Sequence, residues 1–197
     1  MKSKKTSNTS TNLSPANYIR LKSRDLPIIK CLISDDWKEA KICNLYVIRQ
    51  HANGNVTFCA YLVDLACLGV KNTFYQFNLP FETINEMVRK GKDHGVFLVE
   101  IPYELAHNII YAAITFADDF GFRPCDEFTS ITEFFLDDTD DIPYIDIACG
   151  GHDGEPIFIN TGFDSPDREK QIIAQLKKTT GKGNFMSMRN IDDGDMI

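Results

Sequence analysis

Apolar positions along the chain fall into short β-branched runs and one long helical stripe. The sharpest local signal lies at residues 42–50 and 55–63, two β-rich runs flanking His51-Ala52-Asn53-Gly54. Asn-Gly between such runs predicts a tight hairpin, because both residues accept positive φ. The second run does not alternate polar with apolar. Phe58, Ala60 and Leu62 fall on one face, and Cys59, Tyr61 and Val63 on the other. A strand apolar on both faces is covered from both sides, so the hairpin is expected in the middle of a sheet.

Residues 26–34, 70–77 and 95–101 read as further strands, and 80–90 as a helix. Ser14 and Pro15 open a short helix through Arg24. The strongest helix signal is 103–120. Glu104, Asn108, Tyr111, Thr115, Asp118 and Asp119 share one arc of the wheel, and Leu105, Ile109, Ile110, Ala113, Ile114 and Ala117 lie in the opposite one. Gly121 stops it. A short helix near 128–136 and an acidic loop, Asp137-Asp138-Thr139-Asp140-Asp141, come next. Residues 142–149 and 156–160 then predict a second hairpin turned at 150–154. Ser165 caps a last helix with Pro166 at its first position, running to about Thr180. The expected fold is α/β (α+β) and two-layered: a mostly antiparallel central sheet with the amphipathic helices 103–120 and 166–180 packed on it. Residues 1–14 read as a disordered basic tail, 15–185 as a single domain and 186–197 as a flexible C-terminal tail.

Composition supports one sizeable core: 197 residues, 43% hydrophobic, with 14 Phe and 7 Tyr. No apolar run reaches the roughly 18 to 20 residues that span a bilayer. The first fifteen residues are basic and Ser/Thr-rich, without the apolar stretch of a secretory signal. A soluble, cytoplasmic protein is the expectation, with its six cysteines reduced. Cys125, after Pro124 in a polar turn, is the one expected to be accessible.

Charge is uneven. Up to Arg24 there are six basic residues and no acidic one, so a net charge of −7 leaves −13 for the remainder. An acidic body repels phosphate backbones, which makes nucleic acid an unlikely partner except through the basic N-terminal tail.

One charged side chain interrupts the apolar run 56–70: Asp64. A bare buried carboxylate costs several kcal/mol, so it must be solvated, capped, paired or bound to metal. Three readings stand. Asp64 N-caps a single turn at 65–68, stopped by Gly69; or it pairs with Lys71; or it is an active-site acid. The third needs company. Glu100 and Asp146 sit in comparable apolar strands, and three strand-end acids can gather Mg²⁺ or Mn²⁺ and activate water, with His107 nearby in sequence terms.

Other constellations are incomplete. Glu104-x-x-His107 has the spacing of di-iron bundles but no second copy. Cys149-x-x-His152 offers half a zinc site. Cys67 and His107 are the natural pair for a cysteine nucleophile. Thr180-Gly181-Lys182-Gly183-Asn184 lacks the upstream glycine of a phosphate loop.

Three segments carry a resemblance. Tyr61-Leu62-Val63-Asp64-Leu65-Ala66-Cys67-Leu68-Gly69-Val70-Lys71, preceded by Asn53-Gly54-Asn55, is the first. Tyr103-Glu104-Leu105-Ala106-His107-Asn108-Ile109-Ile110-Tyr111 and Gly154-Glu155-Pro156-Ile157-Phe158-Ile159 are the others. Over about residues 26–185 the chain resembles a family of uncharacterised bacterial proteins. The resemblance implies a bacterial cytosolic setting and a self-contained domain, and transfers no functional residue. The sequence expectation is a non-catalytic interaction module without a cofactor, binding an unidentified protein partner. Its alternative is a metal-dependent hydrolase or nuclease using Asp64, Glu100, His107 and Asp146.

Overall fold

The computed structural model describes residues 13–160, 162 and 164–189. Most of the expected N-terminal tail, 1–12, and the last part of the C-terminal one, 190–197, lie outside the described residues. Five strands form the main sheet: β1 (Ile28–Ser34), β2 (Ile42–Gln50), β3 (Val56–Asp64), β4 (Gly69–Leu79) and β5 (Leu98–Ile101). Their order is β4-β3-β2-β1-β5, and every pairing is antiparallel. The Asn-Gly turn forms as its chemistry predicts. His51 N–H donates to the Asn55 carbonyl at 2.8 Å, and Gly54 takes a φ of +85°.

Among the described residues six α-helices accompany the sheet: α1 (Pro15–Lys22), α2 (Trp37–Ala40), α3 (Glu82–Asp93), α4 (Tyr103–Asp119), α5 (Asp126–Ser130) and α6 (Pro166–Thr180). Helix α4 lays Ala106, Ile109, Ile110 and Ala113 on one sheet face, against Ile33, Leu45, Val47, Cys59, Tyr61 and Val63. Helix α3 covers part of the other face, where Ile84 meets Leu32, Ile48, Phe58 and Ala60. Strand β3 is thereby buried on both sides, which accounts for its lack of alternation.

The C-terminal region departs from expectation twice. Segments 142–149 and 156–160 do not form a hairpin. Strand β6 (Ile157–Asn160) pairs in parallel with β7 (Met186–Arg189), part of the segment expected to fray. Residues 142–149 instead run extended along α4. Ile145, Ile147 and Cys149 are half-buried, while Tyr144, Asp146 and Ala148 face solvent. The period of two is real, but it records a helix on one side of an unpaired chain rather than a strand partner.

Helix α6 also sits elsewhere. Its apolar stripe, Ile172 and Leu176, packs with Phe158 of β6, Cys67, Leu68, Ala117 and Phe122 in a second core beyond the end of the main sheet. Its third buried side chain, Glu169, accepts a 2.9 Å hydrogen bond from Asn160 Nδ2 of β6.

Candidate functional site

Asp64 ends β3 and is fully buried. Its Oδ1 accepts hydrogen bonds from the backbone N–H groups of Ala66 and Cys67, both at 2.9 Å. It therefore caps the turn 65–68, and Gly69 closes that turn with a φ of +70°. Among the described residues its Oδ2 has no hydrogen-bond partner. Lys71 is not its ion-pair partner: the ammonium binds Asp164 Oδ2 at 2.9 Å, in a pair with little exposure. Burial pushes the Asp64 carboxyl up to about 6, against the opposing pull of Lys71 and of the turn's N–H groups.

The other acids do not join it. Glu100 lies on β5, level with Leu32, Tyr46 and Ala60 across the sheet. That is three strands over and four residues along from Asp64, about 20 Å at ordinary strand spacing and rise. Its side chain is largely exposed and pairs with Lys30 at 3.3 Å. Asp146 points outward from the extended arm and accepts a 3.3 Å hydrogen bond from the Tyr144 hydroxyl. Burial pushes the Cys149 thiol up to about 11, with Lys41 opposing and Asp146 and Asp64 adding to the rise.

His107 is buried in α4, its ring centroid 4.5 Å from that of Tyr111 in a tilted pair and 5.8 Å from that of Tyr103 edge-on. Nε2 lies 3.1 Å from the Asp137 carbonyl, so Nε2 carries the proton and donates. Burial lowers the pKa of this ring and favours its neutral form. Cys67 belongs to the second core, beside Ala117. Ten helical residues, about 15 Å, separate Ala117 from His107. Burial also raises the Cys67 thiol, opposing formation of a nucleophilic thiolate. His152 is exposed beside Asp153, and among the described residues no three His, Cys, Asp or Glu side chains gather as a metal site would require. Cys125 is half-buried rather than open.

A concave, mostly apolar feature lies between α4 and the extended arm. Asn108 builds it. Its Nδ2 donates to the Pro143 carbonyl at 2.9 Å, and its Oδ1 accepts from the Ile145 N–H at 2.9 Å. One amide side chain thus supplies both the donor and the acceptor that a neighbouring strand would offer. Further along, Lys41 Nζ donates to the Ala148 carbonyl at 3.0 Å, and Gly150 N–H to the Leu65 carbonyl at 2.8 Å. Gly150 has a φ of +70°, and a Cβ there would stand 2.7 Å from the Phe116 ring. Between these ties a groove of about 480 Å³ remains, walled by Tyr111, Ala112, Thr115 and Phe116 of α4 and by Ile142, Ile145 and Ile147 of the arm. His107 and Asn108 contribute to its lining at one end and Asp119 at another point of α4. The wall is mostly apolar, with a few oriented polar groups, which is the make-up of a binding site.

No family model, curated protein or solved structure matches the chain.

Arg49 is the polar residue that reading by motif passes over. It is 2% exposed and binds four groups at once, the Arg24 carbonyl at 3.4 Å among them. Nε donates to the Phe135 carbonyl at 3.1 Å, Nη1 to the Leu26 carbonyl at 2.6 Å, and Nη2 to the Asp137 carboxylate. Its signal is of the same kind as that of Asp64: one charge in the otherwise apolar series Leu45, Val47, Arg49. Because Arg49 holds Asp137, it also fixes the carbonyl that receives the His107 proton donor.

Proposed function

We propose that this domain is a non-catalytic interaction module, and that the groove between α4 and the extended arm receives an apolar, extended segment of a protein partner. The observation that carries this is the make-up of the groove. Apolar side chains from a helix and an outlying chain face each other across about 480 Å³, and the oriented polar group, Asn108, is occupied in holding the arm. The placement of Asp64, Glu100 and Asp146 in separate environments supports binding over hydrolysis. The bacterial cytosolic setting implied by the family resemblance suits such a module.

The test fills the groove. Extended peptides selected from a displayed random library on the intact protein are titrated against the wild type and an Ala112→Trp variant. Peptides with apolar residues at alternate positions, losing at least tenfold in affinity with Ala112→Trp while its thermal melt stays unchanged, are the expected result. Selected peptides that bind both proteins equally overturn the reading, as does a selection that yields no binder.

A further inference from the structure

The acidic run 137–141 is divided by the fold. Asp137 holds Arg49 and Asp138 holds Arg24, so these two carboxylates serve the structure. Asp140 and Asp141 are exposed and make no ion pair among the described residues. They stand between Thr139 and Ile142, both of which line the groove beside α4. One end of the groove is therefore acidic.

The other end is acidic as well. Asp119 lines the groove on α4, twelve residues after His107 and about 18 Å further along the helix axis. It is exposed and has no ion-pair partner among the described residues, whereas its neighbour Asp118 takes Arg123 at 2.8 Å. Asp119 is also the last residue of α4, where the negative end of the helix dipole disfavours a carboxylate. Its charge does nothing for the helix that carries it.

No cation answers these acids from within. Neither lysine nor arginine lines the groove among the described residues, and burial keeps the His107 ring toward its neutral form. Lys41 reaches the arm, but its ammonium is tied to the Ala148 carbonyl at 3.0 Å. The groove is thus an apolar trough with uncompensated negative charge at each end.

We propose that the segment it receives is basic at both ends, with one lysine or arginine at Asp119 and another at Asp140 and Asp141. This rests on the groove being a peptide site and adds the chemistry of the partner. At about 3.3 Å per residue in extended form, 18 Å places about five or six residues between the two charges. Apolar side chains at alternate positions enter the trough, and the flanking cations lie over its ends. The charge of the domain acts in the same sense. An acidic body that repels phosphate backbones draws a cationic segment toward it.

The probes are three labelled synthetic peptides that share the core Val-Thr-Leu-Thr-Val and carry lysine, serine or glutamate at both ends. They are titrated against the intact protein by fluorescence anisotropy at about 0.05 M and about 0.5 M salt. The lysine-ended peptide is expected to bind at least fivefold more tightly than the serine-ended one at low salt, and the glutamate-ended peptide most weakly. That advantage should fall below twofold at high salt, and also in a protein carrying Asp119→Asn, Asp140→Asn and Asp141→Asn together. The serine-ended peptide should bind that variant as it binds the wild type. Equal binding of the three peptides overturns the proposal, as does a lysine advantage that survives the three substitutions. If Ala112→Trp still weakens every peptide in those cases, the groove stands as the site and only the charge assignment falls. If Ala112→Trp weakens none of them, or no peptide binds, the groove itself is refuted and this proposal with it.

Discussion

Replacing Asp64 by asparagine isolates the cost of its charge. Asparagine retains an Oδ1 that can accept from the Ala66 and Cys67 N–H groups, and it replaces the unpartnered Oδ2 with an uncharged group of similar size. In the wild type the folded chain holds the Asp64 proton up to about pH 6, whereas an unfolded aspartate releases it near 3.8. Between those values the native state binds more protons than the unfolded state, so stability falls as pH rises. Below both values the group contributes no pH dependence, and above both the full penalty is present. About two pH units at 1.36 kcal/mol each put that penalty at about 3 kcal/mol.

The asparagine variant lacks this term, and the remaining titrating groups are common to both proteins. The unfolded aspartate is already more than half ionised at pH 4, so the stability of Asp64→Asn relative to wild type should rise by about 2 kcal/mol between pH 4 and pH 7, most of it before about pH 6.5. Urea unfolding followed by circular dichroism across that range measures it, with an unchanged denaturant slope as the check on two-state behaviour. A difference that stays flat within about 0.5 kcal/mol refutes the reasoning. A difference of opposite sign would mean that Lys71 and the turn's N–H groups outweigh burial. At pH 4, where the charge is absent, Asp64→Ala should still cost about 0.5 to 2 kcal/mol for the lost cap.

Arg49→Ala leaves the Phe135 and Leu26 carbonyls and the Asp137 carboxylate without their donor, and should destabilise the fold by about 3 kcal/mol in a thermal or urea melt. A loss below about 1 kcal/mol would show that water replaces the guanidinium. Asn108→Ala removes both ties between α4 and the arm. Limited proteolysis should then cut within 142–148 at least tenfold faster while the global melt moves by only a few degrees. Unchanged cleavage would mean that Ile145 and Ile147 hold the arm by packing alone.

The parts legible in the sequence are those whose reasons are local. The hairpin at Asn53-Gly54, the two-faced burial of β3, the amphipathic stripe of α4 and the Ser165-Pro166 start of α6 each follow from residues within one element. The misread parts depend on what lies opposite. Alternation in 142–149 says that every second side chain is covered, and a helix can provide that cover as well as a sheet. Asn108, which makes the helix possible as a partner by bonding the arm's backbone, lies more than thirty residues away in the chain and reads as an ordinary polar-face residue. The groove is invisible for the same reason, since its two walls come from segments far apart in the chain that the Asn108 side chain ties together. Arg49 was available to inspection: it breaks an apolar series as Asp64 does.

The position of Asp64 explains why its cost is tolerated. The turn that it caps is where separate parts of the molecule meet. Leu65 N–H donates to the Lys41 carbonyl at 2.7 Å, the Leu65 carbonyl accepts from Gly150, and the Ala66 carbonyl accepts from Ile157 at 2.9 Å. Cys67 and Leu68 enter the second core with α6. One turn thus joins the end of the main sheet, the root of the extended arm, the first residue of β6 and the C-terminal helix. An apolar residue at position 64 would avoid a buried charge but leave the Ala66 and Cys67 N–H groups unpaired in a dry site, at about 1 to 3 kcal/mol each. It would also free the turn to adopt other shapes. A carboxylate with one satisfied and one unsatisfied oxygen is the lesser cost, because four segments take their positions from the geometry that it fixes.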